Sequence, residues 1–355
     1  MASSTGRTIA LKEFDDAKTG VKGLVDSGMT SLPAIFHHPR AHLSMLAATS
    51  HLSIPTVDLS LPRPIAVDLI RSASRDWGVF QLINHGIPLS TIHNTISAIR
   101  SFHELSSAER SQFYTRSRDP GFSYNSNLDL FHSAAATWKD TLRVSFSPVR
   151  PDVDQIPEVC RAALVTWDEC AKDVAREVMQ MMCKGLGVDT KRLEAMTCLE
   201  GRTTVAHYYP PCPEPDRALG TVDHTDAGLL AFLIQNQIGG LQVKSETHKC
   251  WVDVKPIPGV LVVFVGELLQ IISNNEYKSS CHRVMANSSD EPRVSVISFY
   301  NPGRKDESDF YGPLSELLSD QKPACYRNLN MVELNKVFRK EPIGNKVVLK
   351  YCKLP

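Results

Sequence analysis

Apolar positions along this chain change their period once, near residue 203. Before that point the clearest signal is helical. Between Pro157 and Leu186, residues Ala163, Trp167, Cys170, Val174, Val178 and Met181 recur at spacings of three and four, which places them on one helix face. Lys184-Gly185 supplies a cation and a stop at its end. Met179, Met181 and Met182 read as a core stripe on the same helix rather than a soft-metal surface. Two shorter helices are predicted upstream. One runs from Pro64 to Trp77 with Ile65, Leu69 and Ala73 inward, and the other covers Ser90–Leu105. Short strands IPTVD and VFQLIN flank the first, and His85 in the NHGIP turn is read as structural. Residues 118–135 carry Pro, Gly, Asn and Ser and are expected to be a loop, with Tyr124, Phe131 and the following Trp138 as apolar landmarks.

After residue 203 the pattern becomes that of strands. TTVAHYY, LLAFLIQ, LQVKS, CWVDV, VLVVFV, CHRVMA and RVSVISFY follow one another, separated by Pro210-Pro211, Gly239-Gly240 and Pro258-Gly259. Regularly spaced short strands argue for a sandwich or barrel, and a closed double sheet would be a cupin-like jelly roll. The expected class is therefore mainly β with flanking helices. The expected parts are a leader (1–50), an α/β region (51–155), a backing helix (156–200), the jelly-roll core (201–305) and a C-terminal helical lid region (306–355), which holds a helix over Asn330–Arg339.

Composition narrows the classes. The 355 residues are 42% hydrophobic and carry 39 basic and 39 acidic side chains, so there is no electrostatic footprint for nucleic acid or an anionic membrane. No run of 18 apolar residues predicts a membrane helix, and the N-terminus lacks a secretory apolar segment. Nine scattered cysteines without a C-x-x-C pair suggest reduced thiols in a cytoplasmic or nuclear protein. His37, His38, His42 and His51 lack ligand spacing with carboxylate or Cys and read as loop and surface residues. A monomer acting on a small molecule is the expectation.

The chemistry concentrates in TVDHTDAGLLAFLIQ. His224 and Asp226, two apart on a strand, would project from one face. With His282 of SSCHRVMAN they make two imidazoles and a carboxylate, the ligand set that leaves one face of an octahedral Fe(II) open. Arg293-Val294-Ser295 follows, again at strand spacing. Its guanidinium fork and hydroxyl suit a carboxylate. A metal beside a carboxylate clamp suggests a di-acid that chelates at one end and is gripped at the other, and 2-oxoglutarate fits. A zinc hydrolase would use similar ligands but offers no reason for the clamp.

These motifs, with Trp77-Gly78-Val79-Phe80-Gln81, Asn84-His85-Gly86-Ile87-Pro88, Tyr208-Tyr209-Pro210-Pro211-Cys212-Pro213 and Gly239-Gly240-Leu241-Gln242, resemble the plant 2-oxoglutarate- and Fe(II)-dependent dioxygenases. GVKGLVDSG and Phe36–Pro39 are similar to the subgroup called ACC oxidase homologs. The resemblance implies a double-stranded β-helix core. It implies Fe(II) as metal, 2-oxoglutarate and O2 as co-substrates, and ascorbate as activator. Oxidative decarboxylation would give succinate and CO2 while a C–H bond of a plant specialised metabolite is hydroxylated, demethylated or desaturated. An ascorbate-dependent enzyme of the ACC oxidase type and a non-catalytic protein on the same scaffold are the other readings. Tyr209 maps to the family's 2-oxoglutarate-binding Tyr. His207 stands where the family has Asn, which leaves it open to co-substrate contact, outer-layer support or packing. Strand alternation adds pocket residues: Val205 and His207 with Tyr209, and Ile297, Phe299 and Asn301 with Arg293 and Ser295. Phe131 is a candidate from the loop. The family's C-terminal region closes over substrate, which makes Phe338 a candidate lid contact.

Overall fold

The computed structural model describes residues 4–39, 52–117, 121–303, 309–340, 344 and 346–355. Two helices open the chain, α1 (Ser4–Asp16) and α2 (Gly20–Asp26). Strand β1 (Thr56–Asp58), helix α3 (Arg63–Asp76), strand β2 (Val79–Ile83), helix α4 (Leu89–His103) and helix α5 (Ser107–Ser111) follow. Strands β3 (Phe122–Asn125) and β4 (Asp140–Ser147) precede the long helix α6 (Glu158–Leu186) and the short α7 (Arg192–Ala195). The core strands are β5 (Gly201–Tyr209), β6 (Leu219–His224), β7 (Leu230–Gln235), β8 (Leu241–Ser245), β9 (Cys250–Asp253), β10 (Leu261–Val265), β11 (His282–Met285) and β12 (Arg293–Asn301), with α8 (Glu267–Ile272) after β10. Strands β13 (Phe310–Tyr311) and β14 (Leu329–Asn330) and helices α9 (Met331–Lys340) and α10 (Val347–Cys352) close the chain.

The strands form an eight-stranded sheet in the order β1-β2-β10-β7-β12-β5-β4-β3 and a four-stranded sheet in the order β6-β11-β8-β9. This is a jelly-roll core with helices outside it, and the sheets stay distinct instead of closing into a barrel. Alternation on β12 shows how the sheet is shared. Val294, Val296 and Tyr300 are buried in the core cluster with the helices, and Ser298 accepts a hydrogen bond from Trp167 Nε1 of α6 at 2.9 Å. The opposite face of β12 turns to the cavity. Helix α6 thus backs the large sheet as its apolar stripe predicts.

Several local expectations change. Helix α3 buries Ala66, Val67, Ile70, Ala73 and Ser74, while Ile65 and Leu69 are exposed. That face packs against α6 and against strands β1 and β2. The helix stop is Gly187, left-handed at φ 77°, and not Gly185. Gly185 lies inside the helix, where a Cβ would come within 2.7 Å of the Tyr277 hydroxyl. The segment expected to be loop contains β3, paired antiparallel to β4, and β4 was not expected at all.

The described part of the leader is ordered by the body. Leu11, Phe14, Val21, Leu32, Ile35 and Phe36 share a buried cluster with Trp138. The Phe14, Phe36 and Trp138 rings meet edge to face at 5.4 and 5.0 Å. His37 and His38 bond the carbonyls of Leu32 and Ala136, while His42 and His51 lie outside the described residues. Truncating a buried Phe costs roughly 3–5 kcal/mol. Phe36→Ala is therefore expected to lower stability by about that amount and open the leader to limited proteolysis, and an unchanged denaturation midpoint would refute this packing role.

His103 ends α4 fully buried. Its Nδ1–H donates to the Ile99 carbonyl at 2.9 Å and its ring stacks on Tyr208 at 4.9 Å. Burial pushes its pKa from 6.5 down to about 3. Between those values the unfolded chain binds a proton that the folded one refuses. This contribution is thus complete above the unfolded value and is lost as pH falls toward the folded one, with a slope of up to about 1.4 kcal/mol per pH unit. His103→Phe retains the stack and should flatten that slope when urea denaturation is compared at neutral and mildly acidic pH. A slope equal to wild type would exclude His103 as its source.

Candidate active site

The C-terminal end of β6 and the start of β11 lie side by side, with His224 and His282 directly paired across the two strands. Their rings stand 4.3 Å apart. Each Nδ1–H donates to a carbonyl two residues back, His224 to Val222 at 2.9 Å and His282 to Ser280 at 3.2 Å. That fixes the tautomer and leaves each Nε2 lone pair aimed away from the backbone. Asp226 lies just beyond the end of β6, not within the strand as expected, and its Oδ1 is 3.7 Å from His224 Nε2. One ligand atom from each of His224, Asp226 and His282 lies within 4.8 Å of the others. Phe264 covers His282 at 4.4 Å.

Burial dominates the electrostatics. It pushes both imidazoles down to about 4, with His282 adding to the effect on His224. Burial raises Asp226, and the neighbouring His224 partly offsets this. At neutral pH the imidazoles present lone pairs without first losing a proton, as a metal requires. A half-buried carboxylate whose ionised form is disfavoured gains from a cation. The donor set fits Fe(II).

These residues open into a cavity of about 390 Å³. Arg293, at the start of β12, lies fully buried behind the cavity-lining Ser295 and Tyr209. Its Nη1 donates to Ser295 Oγ at 3.3 Å and its Nη2 to Gln235 Oε1 at 2.7 Å, while its Nε has no partner. The guanidinium lies 4.8 Å over the Tyr209 ring. Among the described residues no carboxylate pairs with it. A buried guanidinium with a spare donor and only neutral acceptors is a site for an external anion.

Val205, His207, Ile297, Phe299 and Asn301 all line the cavity, as their alternation predicts. His207 Nδ1 pairs with Thr141 Oγ1 at 2.9 Å and stands outside the metal-ligating group. Burial and Lys139 keep it neutral, well below its ordinary pKa. Phe131 is corrected: it is exposed under the Arg116 guanidinium, and Leu128 and Asp129 of the same loop line the cavity instead. The Phe338 side chain lies outside the described residues; Met331 and Leu334 from the same helix, α9, reach the cavity. The polar wall of Lys139, Thr141, Arg143 and Ser145 was missed. Its signal was legible in KDTLRVSFS, where polar residues alternate with Leu142, Val144 and Phe146. Among the described residues no helix is long and apolar enough to cross a membrane.

A jelly roll holding two imidazoles and a carboxylate beside a buried arginine is the architecture of a non-haem iron oxygenase. Residues 201–302 match the 2OG-Fe(II) oxygenase superfamily, and residues 54–160 match the N-terminal region of non-haem dioxygenase in morphine synthesis. The chain is 38% identical over 360 residues to 1-aminocyclopropane-1-carboxylate oxidase homolog 3 of Arabidopsis thaliana, covering 98% of this chain and 97% of the relative. It is 38% identical to an Arabidopsis thaliana probable 2-oxoacid dependent dioxygenase, covering 97% and 98%. The crystal structure of JOX2 in complex with 2OG, Fe and JA superposes with a TM-score of 0.84 at 27% identity, covering 94% of this chain and 98% of that one. The chain belongs to the 2-oxoglutarate–Fe(II) oxygenase family and is a dioxygenase whose cofactors are iron and 2-oxoglutarate, with ascorbate the activator typical of the family.

Proposed function

We propose that His224, Asp226 and His282 hold the iron, that Arg293, Ser295 and Tyr209 grip the distal carboxylate of 2-oxoglutarate, and that the enzyme oxidises a C–H bond of a small, mostly apolar plant metabolite. Hydroxylation is the first expectation. The observation that carries this reading is the opening of His224, Asp226 and His282 into one cavity together with Ser295 and Tyr209, the two cavity residues that touch the buried Arg293 guanidinium. When bound, iron supplies the one-electron chemistry that couples O2 and 2-oxoglutarate to C–H oxidation, with release of succinate and CO2.

The chain's own residues orient and protect. Val222 and Ser280 carbonyls hold the two imidazoles in the ligating tautomer. Ser295 and Gln235 fix the Arg293 fork before any ligand arrives. Leu233, Phe264, Val205, Ile297 and Phe299 give the cavity an apolar body that excludes water around the substrate. His207, held neutral and bonded to Thr141, supports the wall and moves no proton. In this reading 201–305 is the cofactor-binding core, 51–155 supplies the polar wall and 306–355 the cover. The protein works as a cytoplasmic monomer.

The test is to add Fe(II) and 2-oxoglutarate to the apo-protein without oxygen and record the visible spectrum, then admit oxygen and screen plant metabolites for succinate release. A weak charge-transfer band supports the reading. Bound iron without a band points to the ascorbate-type enzyme, and failure to bind iron refutes the metal assignment.

A further inference from the structure

Lys139 immediately precedes β4, between two residues pinned to the leader. On one side, Trp138 packs on Phe36 and donates from Nε1 to the Pro211 carbonyl at 3.2 Å. On the other, the Asp140 carboxylate accepts from the backbone N–H groups of Val21 and Lys22, both at 2.8 Å. Strand alternation then turns Lys139 the opposite way, into the cavity. A lysine's four-carbon stem normally carries its ammonium out to water. Here the side chain is buried, and its Nζ donates to Thr221 Oγ1 at 2.7 Å.

An ammonium has three protons to place. Among the described residues no carboxylate lies within ion-pair distance of this one. Asp129 acts on it from farther off and accepts a hydrogen bond from Ser133. Burying a charge with one neutral acceptor is costly, and the cost is recovered when an anion arrives. The surroundings indicate which anion. Thr221 Oγ1 is 3.3 Å from the Tyr209 hydroxyl, and the Tyr209 ring lies under the Arg293 guanidinium. Two buried cations thus flank one tyrosine with no protein carboxylate paired to either.

We propose that Lys139, held by Thr221, is a second cationic contact for 2-oxoglutarate and meets its distal carboxylate beside Arg293. The proposal rests on the co-substrate reading above and adds a residue to it. A carboxylate on the primary substrate is the competing source. The hydroxyl link from Lys139 through Thr221 to Tyr209 places the ammonium with the co-substrate clamp and favours the first source.

The experiment compares two ligands on full-length protein loaded with Fe(II) or Mn(II) without oxygen. 2-Oxoglutarate and 2-oxovalerate share the chelating end, but the second has a methyl group in place of the distal carboxylate. Lys139→Met should weaken 2-oxoglutarate roughly 10- to 100-fold, as expected for losing a hydrogen bond to a charged group, and leave 2-oxovalerate unchanged. Lys139→Arg should recover most of the loss. Should Lys139→Met fail to fold, Thr221→Val removes the acceptor while keeping the charge, and is expected to weaken 2-oxoglutarate severalfold but not 2-oxovalerate. Unchanged 2-oxoglutarate affinity, or equal loss of both ligands, overturns the proposal. Small apolar carboxylic acids that raise the melting temperature of wild type with metal and 2-oxoglutarate, but not of Lys139→Met, would assign the ammonium to substrate and also overturn it. Failure of wild type to bind 2-oxoglutarate, or normal binding by Arg293→Ala, sinks the underlying reading instead.

Discussion

Asp226→Ala is expected to abolish iron binding and turnover while leaving the metal-free fold at least as stable as wild type. Removing a residue that merely orients a metal ligand costs 10- to 100-fold in affinity, so removing the carboxylate ligand should cost about 100-fold or more. The second half of the expectation follows from burial. Asp226 is enclosed, its ionised form is disfavoured, and the neutral His224 repays little of that cost. Deleting it removes a half-buried charge that a cation would compensate. In wild type, saturating Fe(II) or Mn(II) should raise the melting temperature, since a ligand at 100 times its dissociation constant adds about 2.7 kcal/mol. In the variant the melt should not respond to metal. A variant that still bound metal tightly would remove Asp226 from the ligand set. One that unfolded without metal would show that the carboxylate holds the fold together.

Arg293→Ala is expected to weaken 2-oxoglutarate by about 2–5 kcal/mol, roughly 30- to 5,000-fold, with metal binding retained. The guanidinium is fully buried and its two hydrogen-bond partners, Ser295 and Gln235, are neutral, so its charge is left for a ligand to balance. Truncation also strips the Gln235 carbonyl of its donor at 2.7 Å, which adds an unsatisfied acceptor to the same wall. Arg293→Lys keeps the charge but not the planar fork and should recover only part of the loss. Calorimetry with Mn(II) in place of iron reads the affinity directly. Equal affinity in wild type and Arg293→Ala would refute the clamp. Loss of metal affinity as well would mean that the arginine supports the whole cavity and not one carboxylate.

Local periodicity determined a good deal of this protein. Side chains in a strand repeat every two residues and in a helix every 3.6, so the core strands, the apolar stripe of α6 and the cavity-facing set on β12 could be read from order alone. The ligand types could be read as well, because Fe(II) and a dicarboxylate restrict the side chains able to hold them. Even local readings failed where two patterns overlapped. In α3, Ile65 and Leu69 compete with Ala66, Ile70 and Ala73, and packing against α6 and strands β1 and β2 decides which face is buried. The tertiary structure alone decided which distant residues meet. Strand register brings His282 opposite His224, and β7 delivers Gln235 to Arg293. Docking of the leader on Trp138 and Asp140 turns Lys139 inward, while Phe131 is left outside under Arg116. None of these is a property of a short window. Each depends on long-range pairing and burial, whose free energy exists only once the sheets and helices have closed on one another.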